Sequence, residues 1–203
     1  SEMCIRDSVG AAPWCDLSAL SRIMARIPVG SVVHLANSTP ARYAQLFERG
    51  EGQHHFSNRG TSGIDGCTST AVGAAFVSQR PHTLITGDIA FLYDSNAFWN
   101  NLRPAQLRVV VMDNGGGNIF RYIPGPDSDA ALLPWFEAPH GRDPLTLARS
   151  LGLRCLEATD MSSLTSTLEE LYSDAEGPAV LVVRTPAEAS AHVLRDYFTS
   201  LAQ

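Results

Sequence analysis

Apolar positions along this chain gather into short runs: Val32 to Ala36, His54 to Phe56, Thr83 to Thr86, Arg108 to Met112, Arg154 to Glu157 and Ala179 to Val183. Two of them, Val109-Val110-Val111 and Val180-Leu181-Val182-Val183, do not alternate with polar residues. Strands buried on both faces read that way, whereas half-exposed antiparallel strands alternate. Between the runs the spacing becomes helical. Asp16-Leu17-Ser18 leads into Leu20, Ile23, Met24 and Ile27, and Thr68 to Gln79 is rich in Ala, Val and Gly. Asp143-Pro144 opens a helix carrying Leu145, Leu147, Ala148 and Leu151, with Gly152 placed to end it. Met161 to Tyr172 and Pro186 to Leu201 complete the set. The alternation predicts an α/β three-layer sandwich: a mostly parallel six-stranded sheet, right-handed crossovers and helices on both faces. Ligands of such sheets bind beyond the C-terminal ends of the strands, so the loops there are where chemistry is sought. Residues 1–12 lack periodicity and are read as a disordered or non-native tail, either a remnant of an upstream domain or an expression or assembly scar. Residues 13–203 form one domain in this reading.

Composition narrows the function classes. With 44% hydrophobic and 18% charged residues, the chain can bury a sizeable core. No apolar run approaches the roughly 18 residues needed to span a bilayer, and a basic stretch followed by an apolar one, as in a secretory leader, is not seen at the N-terminus. A net charge of −6 argues against a nucleic-acid-tracking surface. Cys4, Cys15, Cys67 and Cys155 show no C-x-x-C spacing, so reduced thiols in a cytoplasmic protein are expected rather than a zinc or redox site. His54 and His55 are adjacent on a strand and point to opposite faces, a poor arrangement for one metal.

Two loops carry candidate chemistry. Gly87-Asp88-Ile89-Ala90 follows one apolar run, and Asp113-Asn114-Gly115-Gly116-Gly117-Asn118-Ile119-Phe120 follows the next. Asp88 and Asn114 can each offer a hard oxygen about one strand spacing apart, which suits a magnesium ion shared with phosphate oxygens. The glycines let a backbone carbonyl approach as a third ligand and leave amides for an anion. A helix starting near Ala90 could aim its first amides at the same anion. The same residues are also ordinary turn chemistry, and Asp88 alternatively caps the helix that follows.

Taken together, a Gly-Asp loop and an Asn-Gly loop 26 positions apart, from Asp88 to Asn114, resemble the bipartite motif of thiamine-diphosphate enzymes. Ile89 stands where that motif, Gly-Asp-Gly, has its closing glycine, and Asp113 where it has its first asparagine. The decade Ser57-Asn58-Arg59-Gly60-Thr61-Ser62-Gly63-Ile64-Asp65-Gly66 resembles a signature of the 2-succinyl-5-enolpyruvyl-6-hydroxy-3-cyclohexene-1-carboxylate (SEPHCHC) synthases of menaquinone biosynthesis. Asn37-Ser38 with Arg42, Tyr93-Asp94 with Asn96, and Gly116-Gly117-Asn118-Ile119-Phe120 are similar to further stretches of that family. The resemblance runs from about Pro13 to the C-terminus.

The resemblance implies a C-terminal, pyrophosphate-binding domain. Asp88, Asn114 and the Gly116 carbonyl would ligate magnesium (or manganese). Ser57, Ile64, Gly87, Ile89, Ala90, Gly117 and Ile119 would contact thiamine diphosphate, with Ile64 propping its bent shape. Ser38, Arg42, Arg59, Phe120 and Ile123 would meet the substrates, 2-oxoglutarate and isochorismate. Both substrates are carboxylates, which arginine recognises in a bidentate fork. Read singly, Arg42 is an ordinary solvated helix charge, and Ile64, Ile119 and Phe120 are ordinary core. His140, Trp135 and Asp143 receive no functional role. The family's activating glutamate resides on a separate pyrimidine-binding domain supplied by a partner subunit. None of Glu48, Glu51, Glu137 and Glu157 matches it, so no catalytic residue is expected in this chain. The chain alone is therefore expected to be inactive, to expose apolar surface around the cofactor loops, and to work within a homodimer or tetramer. Another thiamine-diphosphate carboligase or 2-oxoacid decarboxylase, or an inactive binding or assembly module of the same fold, stays open.

Overall fold

The structure, a computed structural model, describes residues 12–123, 125–126, 131–173 and 176–201. Most of the tail and Cys4 lie outside the described residues. Six strands pair in the order β2-β1-β3-β4-β6-β5: β1 Val32–Leu35, β2 His54–Ser57, β3 His82–Gly87, β4 Leu107–Asp113, β5 Arg154–Ala158 and β6 Ala179–Arg184. Every pairing between them is parallel. The helices are α1 Asp16–Met24, α2 Thr39–Tyr43, α3 Cys67–Phe76, α4 Asp88–Tyr93, α5 Leu133–Glu137, α6 Pro144–Ser150, α7 Met161–Leu171 and α8 Ala187–Leu201.

The two-residue period of a strand divides the core into two layers. On one side Val33, Leu35, Ile85, Val110, Met112, Leu181 and Val183 pack against α1, α2, α7 and α8. On the other side Leu84, Leu107, Val109, Val111, Val180 and Val182 pack against α3, α4 and α6. The uninterrupted runs in β4 and β6 therefore serve both layers at once. The edge strand β2 is only half buried, with Phe56 57% exposed. The expected three-layer sandwich is what the chain forms.

Local signals end the elements where the sequence placed them. Asp143 accepts from the amides of Leu145 and Thr146 and so caps α6. At its other end Gly152, at φ +70°, donates to the Arg149 carbonyl while Leu153 donates to that of Ala148, a Schellman closure. Cys15, Cys67 and Cys155 are free thiols. No helix among the described residues is long and apolar enough to cross a membrane.

Gly73, inside α3, is exposed, and a Cβ added there meets nothing within 4 Å. Gly73→Ala is expected to raise stability by about 0.5–1 kcal/mol, because glycine loses more backbone freedom on folding. A thermal melt showing no gain, or a loss, would count against this packing of α3.

Candidate functional site

Chain direction reverses about β1 and β3. The connection from β1 leads outward to the edge strand β2, and that from β3 leads the other way to β4. The loops following β1, β3 and β4 consequently gather at one end of the sheet, at a topological switch point. Gly87 of β3 pairs with Met112 of β4, so Asp88 and Asp113-Asn114 leave neighbouring strands at the same level.

Asp88 is the first residue of α4, with Gly87 as its N-cap, and it is 2% exposed. Its Oδ1 accepts from the Ile89 amide at 2.7 Å, and its Oδ2 accepts from the Gly115 amide at 2.8 Å. His140 Nε2 lies 3.2 Å from the same Oδ2. Burial pushes the Asp88 carboxyl up to about 6, against the Ile89 and His140 hydrogen bonds that hold it down; the Asp113 charge adds to the rise. The ligand-bearing atoms of Asp88, Asp113 and His140 lie within 4.8 Å of one another. His140, left without a role in the sequence reading, thus belongs to this cluster. It arrives from the loop before α6, far along the chain, and no motif or spacing in the sequence pointed to it.

The substitution of Asp113 in the motif has a structural counterpart. Arg184, at the end of β6, pairs with Asp113 at 2.5 Å and also reaches Asp143 at 2.7 Å and Glu157 at 2.5 Å. The extra carboxylate beside Asp88 is thereby paired with a guanidinium that it shares with Asp143 and Glu157.

Asn114 donates from Nδ2 to Asp16 Oδ2 at 2.9 Å, and its Oδ1 is buried without any hydrogen-bond partner. An unsatisfied buried oxygen costs about 1–3 kcal/mol unless something electropositive meets it. The Gly116 carbonyl accepts from the Asn118 amide at 2.9 Å and keeps its second lone pair. Asp88 retains acceptor capacity as well, since an ionised carboxylate offers about four lone-pair sites. A carboxylate, an amide oxygen and a backbone carbonyl form an all-oxygen donor set, which fits a small hard divalent cation.

The loop beneath is held tightly. Gly117 donates to the Glu137 carbonyl at 2.6 Å, and Glu137 is forked by Arg121, including an Nη2–Oε2 contact at 3.0 Å. Glu137, read from the sequence as outside the motif, is the anchor of this loop. Gly115 takes φ +85°, which favours glycine. The amides of Gly115 and Gly117, which the glycine run leaves free for an anion in the sequence reading, both donate within the protein, to Asp88 and to the Glu137 carbonyl.

The remaining candidates fall into two groups. Ile89, Ala90, Gly117, Ile119, Phe120 and Ile123 adjoin the two loops; Ile119 is 8% exposed, and the Phe120 ring packs on Phe136 with centroids 5.5 Å apart. Ser38 caps α2 at φ +70°, a strained setting for a serine, with Arg42 exposed one turn on. The Ser57–Gly66 loop is exposed at Arg59 and Ile64, while the Ser57 hydroxyl is buried without a partner. It is tied to the loop after β1 by Asn37, whose Nδ2 donates to the Gly63 carbonyl at 2.6 Å. Among the described residues, no hydrogen bond or ion pair joins Arg42 or Arg59 to Asp88, Asp113 or His140. Large apolar side chains stand in solvent around these loops: Trp135, Phe136 and Leu132 beside the Gly117 anchor, and Phe56 and Ile64 by the arginine loop. Apolar surface around the loops had been expected from the sequence.

Residues 38–183 match the family described as thiamine pyrophosphate enzyme, C-terminal TPP binding domain. The chain is similar to 2-succinyl-5-enolpyruvyl-6-hydroxy-3-cyclohexene-1-carboxylate synthases. That of Christiangramia forsetii is 39% identical over 192 residues, covering 95% of this chain and 33% of the relative. Those of Flavobacterium johnsoniae and Porphyromonas gingivalis are each 42% identical, covering 93% and 97% of this chain and 34% of either relative. The chain spans about a third of the length of these curated relatives. Among solved structures, benzoylformate decarboxylase from Polynucleobacter necessarius superposes with a TM-score of 0.65 at 18% identity, covering 88% of this chain and 34% of that one. At that identity it speaks for the fold alone. The parallel sheet with its paired loops at the switch point and the match over residues 38–183 agree: the chain belongs to the thiamine pyrophosphate enzyme family, as its C-terminal TPP-binding domain.

Proposed function

We propose that this chain is the pyrophosphate- and cation-binding part of a SEPHCHC synthase, which decarboxylates 2-oxoglutarate and joins the remaining fragment to isochorismate. The observation that carries the cation assignment is the buried Asn114 Oδ1, which meets no hydrogen-bond partner among the described residues, on the loop whose parent strand pairs with the one leading to the buried Asp88 carboxyl. Asp88, Asn114 and the Gly116 carbonyl hold Mg2+ (or Mn2+), and Gly87, Ile89, Ala90 and Gly117 border the diphosphate. When bound, thiamine diphosphate supplies the electron sink that decarboxylation requires. The chain's own contribution is to position and to exclude water: Ile64 and Ile119 give the cofactor an apolar support, and Phe120 and Ile123 extend it toward the substrates. Ser38, Arg42 and Arg59 take the substrate carboxylates, and the exposed setting of both arginines suits groups that meet a ligand at a domain boundary.

The activating glutamate comes from a pyrimidine-binding domain, so the chain alone turns over no substrate. That domain covers the exposed Trp135, Phe136 and Leu132 surface in a homodimer or tetramer. The free thiols of Cys15, Cys67 and Cys155 suit a cytoplasmic setting.

Calorimetric titration of the chain with thiamine diphosphate, with and without Mg2+, tests the cofactor site, followed by the same titration with the pyrimidine-binding domain added. Mg2+-dependent binding supports the reading; no binding under either condition sinks it. Activity on 2-oxoglutarate and isochorismate in the assembled enzyme then separates a SEPHCHC synthase from another carboligase, a decarboxylase or an inactive module. In that enzyme Arg59→Ala is expected to lower kcat/KM for isochorismate by roughly 10–100-fold, the worth of one charge-assisted contact, with cofactor affinity unchanged. Collapse of cofactor affinity with substrate kinetics intact would show that Arg59 has been given the wrong role.

A further inference from the structure

We infer that Asp16 is a positioning residue that fixes the side-chain amide of Asn114 with its carbonyl oxygen toward the cation. This rests on the proposed cation site.

Asp16 opens α1 and is fully buried, 98 positions from Asn114 in sequence. Its backbone amide donates to Ser190 Oγ at 2.9 Å, so its main chain is held independently of its side chain. Its Oδ1 accepts from the Thr185 hydroxyl at 2.5 Å, and Oδ2 accepts from Asn114 Nδ2 at 2.9 Å. An asparagine amide has two ends of nearly equal size, and only hydrogen bonding decides which end faces where. Both Asp16 oxygens act as acceptors, Oδ1 toward Thr185 and Oδ2 toward Asn114, and an accepting oxygen selects the NH2 end of the amide and turns the carbonyl end away. That carbonyl oxygen is a buried atom that no donor among the described residues meets. A metal needs the oxygen's lone pair, and an NH2 group has none to give. Partners that orient a ligand in this way carry roughly 10–100-fold in metal affinity.

The test follows from the asymmetry of the amide. Asp16→Asn keeps a carbonyl for the Thr185 hydroxyl but presents NH2 to the NH2 of Asn114. The Asn114 amide then turns over, offering its oxygen to position 16 and its NH2 to the cation. Combining Asp16→Asn with Asn114→Asp restores complementarity: the new carboxylate accepts from position 16 with one oxygen and offers the other to the metal. Depletion of the free Mn2+ electron-paramagnetic-resonance signal in the presence of thiamine diphosphate, with the chain paired as the wild type requires for binding, reads cation affinity. The expected results are a roughly 10–100-fold loss for Asp16→Asn and recovery to within a few-fold of wild type in the double variant. A purely structural Asp16 gives no such rescue. Wild-type affinity in Asp16→Asn, or a double variant that binds no better than the single, overturns the inference.

A second readout needs no cofactor and no variant. Hydrogen exchange of the Asn114 side-chain NH2, followed by NMR in the wild-type chain, is expected to be slow because that group is bonded to a buried carboxylate; fast exchange also overturns the inference. If wild type binds no cation under any condition while the NH2 is protected, the cation-site reading fails and the Asp16–Asn114 pairing stands as structural only.

Discussion

Asp88→Ala is expected to abolish Mg2+-dependent binding of thiamine diphosphate, lowering affinity by more than about 100-fold, since even the partners of metal ligands are worth 10–100-fold. The reason lies in what Asp88 alone supplies. Asn114 and Gly116 offer neutral oxygens, and Asp113, the nearby second carboxylate, is engaged by Arg184. Removing Asp88 therefore deletes the anionic ligand that balances the cation's charge. The folded chain should survive the change. The amides of Ile89 and Gly115 and the ring of His140 each lose an acceptor, but all three residues are part-exposed and can turn to water, so the cost per group stays below the roughly 1–3 kcal/mol of a fully buried one. That loss is partly offset because a carboxyl that burial drives up to about 6 is itself expensive to keep ionised. Titration with and without Mg2+, beside a thermal melt, separates the two effects. Retained Mg2+-dependent binding in a folded variant would place the cation elsewhere.

The second large effect belongs to Gly116→Ala. A Cβ added at Gly116 would lie 2.7 Å from the Glu137 carbonyl oxygen and 3.7 Å from the Pro139 Cα, both backbone atoms. Neither can swing aside as a side chain does. The Glu137 carbonyl also accepts from the Gly117 amide at 2.6 Å, and its carboxylate is forked by Arg121, so retreat of that strand of chain breaks two contacts. The expected cost is about 1–3 kcal/mol of stability, typical of overpacking a closed site. Because displacement of this loop also moves the Gly116 carbonyl, cation-dependent affinity should fall roughly 10–100-fold alongside. A melt within error of wild type, with affinity preserved, would mean that the loop and α5 are not locked together as the structure has them. The contrast with Gly73, where the added methyl enters open space, isolates packing from glycine's backbone freedom.

Much of the architecture could be read from one dimension. Continuous apolar runs in β4 and β6 reported burial on both faces, and Asp143-Pro144 and Gly152 reported the ends of α6 through capping geometry that needs no distant partner. The Gly-Asp and Asn-Gly loops stood out through their joint resemblance to the bipartite thiamine-diphosphate motif; read singly they are ordinary turn chemistry. Local chemistry and the two sequence periods were sufficient for the strands and the helix ends.

What stayed hidden has a common cause. His140 reaches Asp88 across 52 positions, Arg184 reaches Asp113 across 71, and Asp16 reaches Asn114 across 98. None of these pairs has a periodicity or spacing, because side-chain contacts between loops depend on crossover paths and on the register of strands that are not neighbours in sequence. Patterning and local chemistry set the layers and the strand-ending loops, and the family resemblance pointed to the residues that would hold a cation and a diphosphate. The tertiary structure alone decided which guanidinium pairs with Asp113, which backbone carbonyl forbids a methyl at Gly116, and which carboxylate sets the orientation of the Asn114 amide. Those outcomes turn on separations of a few ångströms, a scale on which hydrogen bonding and steric exclusion act and hydrophobic patterning carries no information.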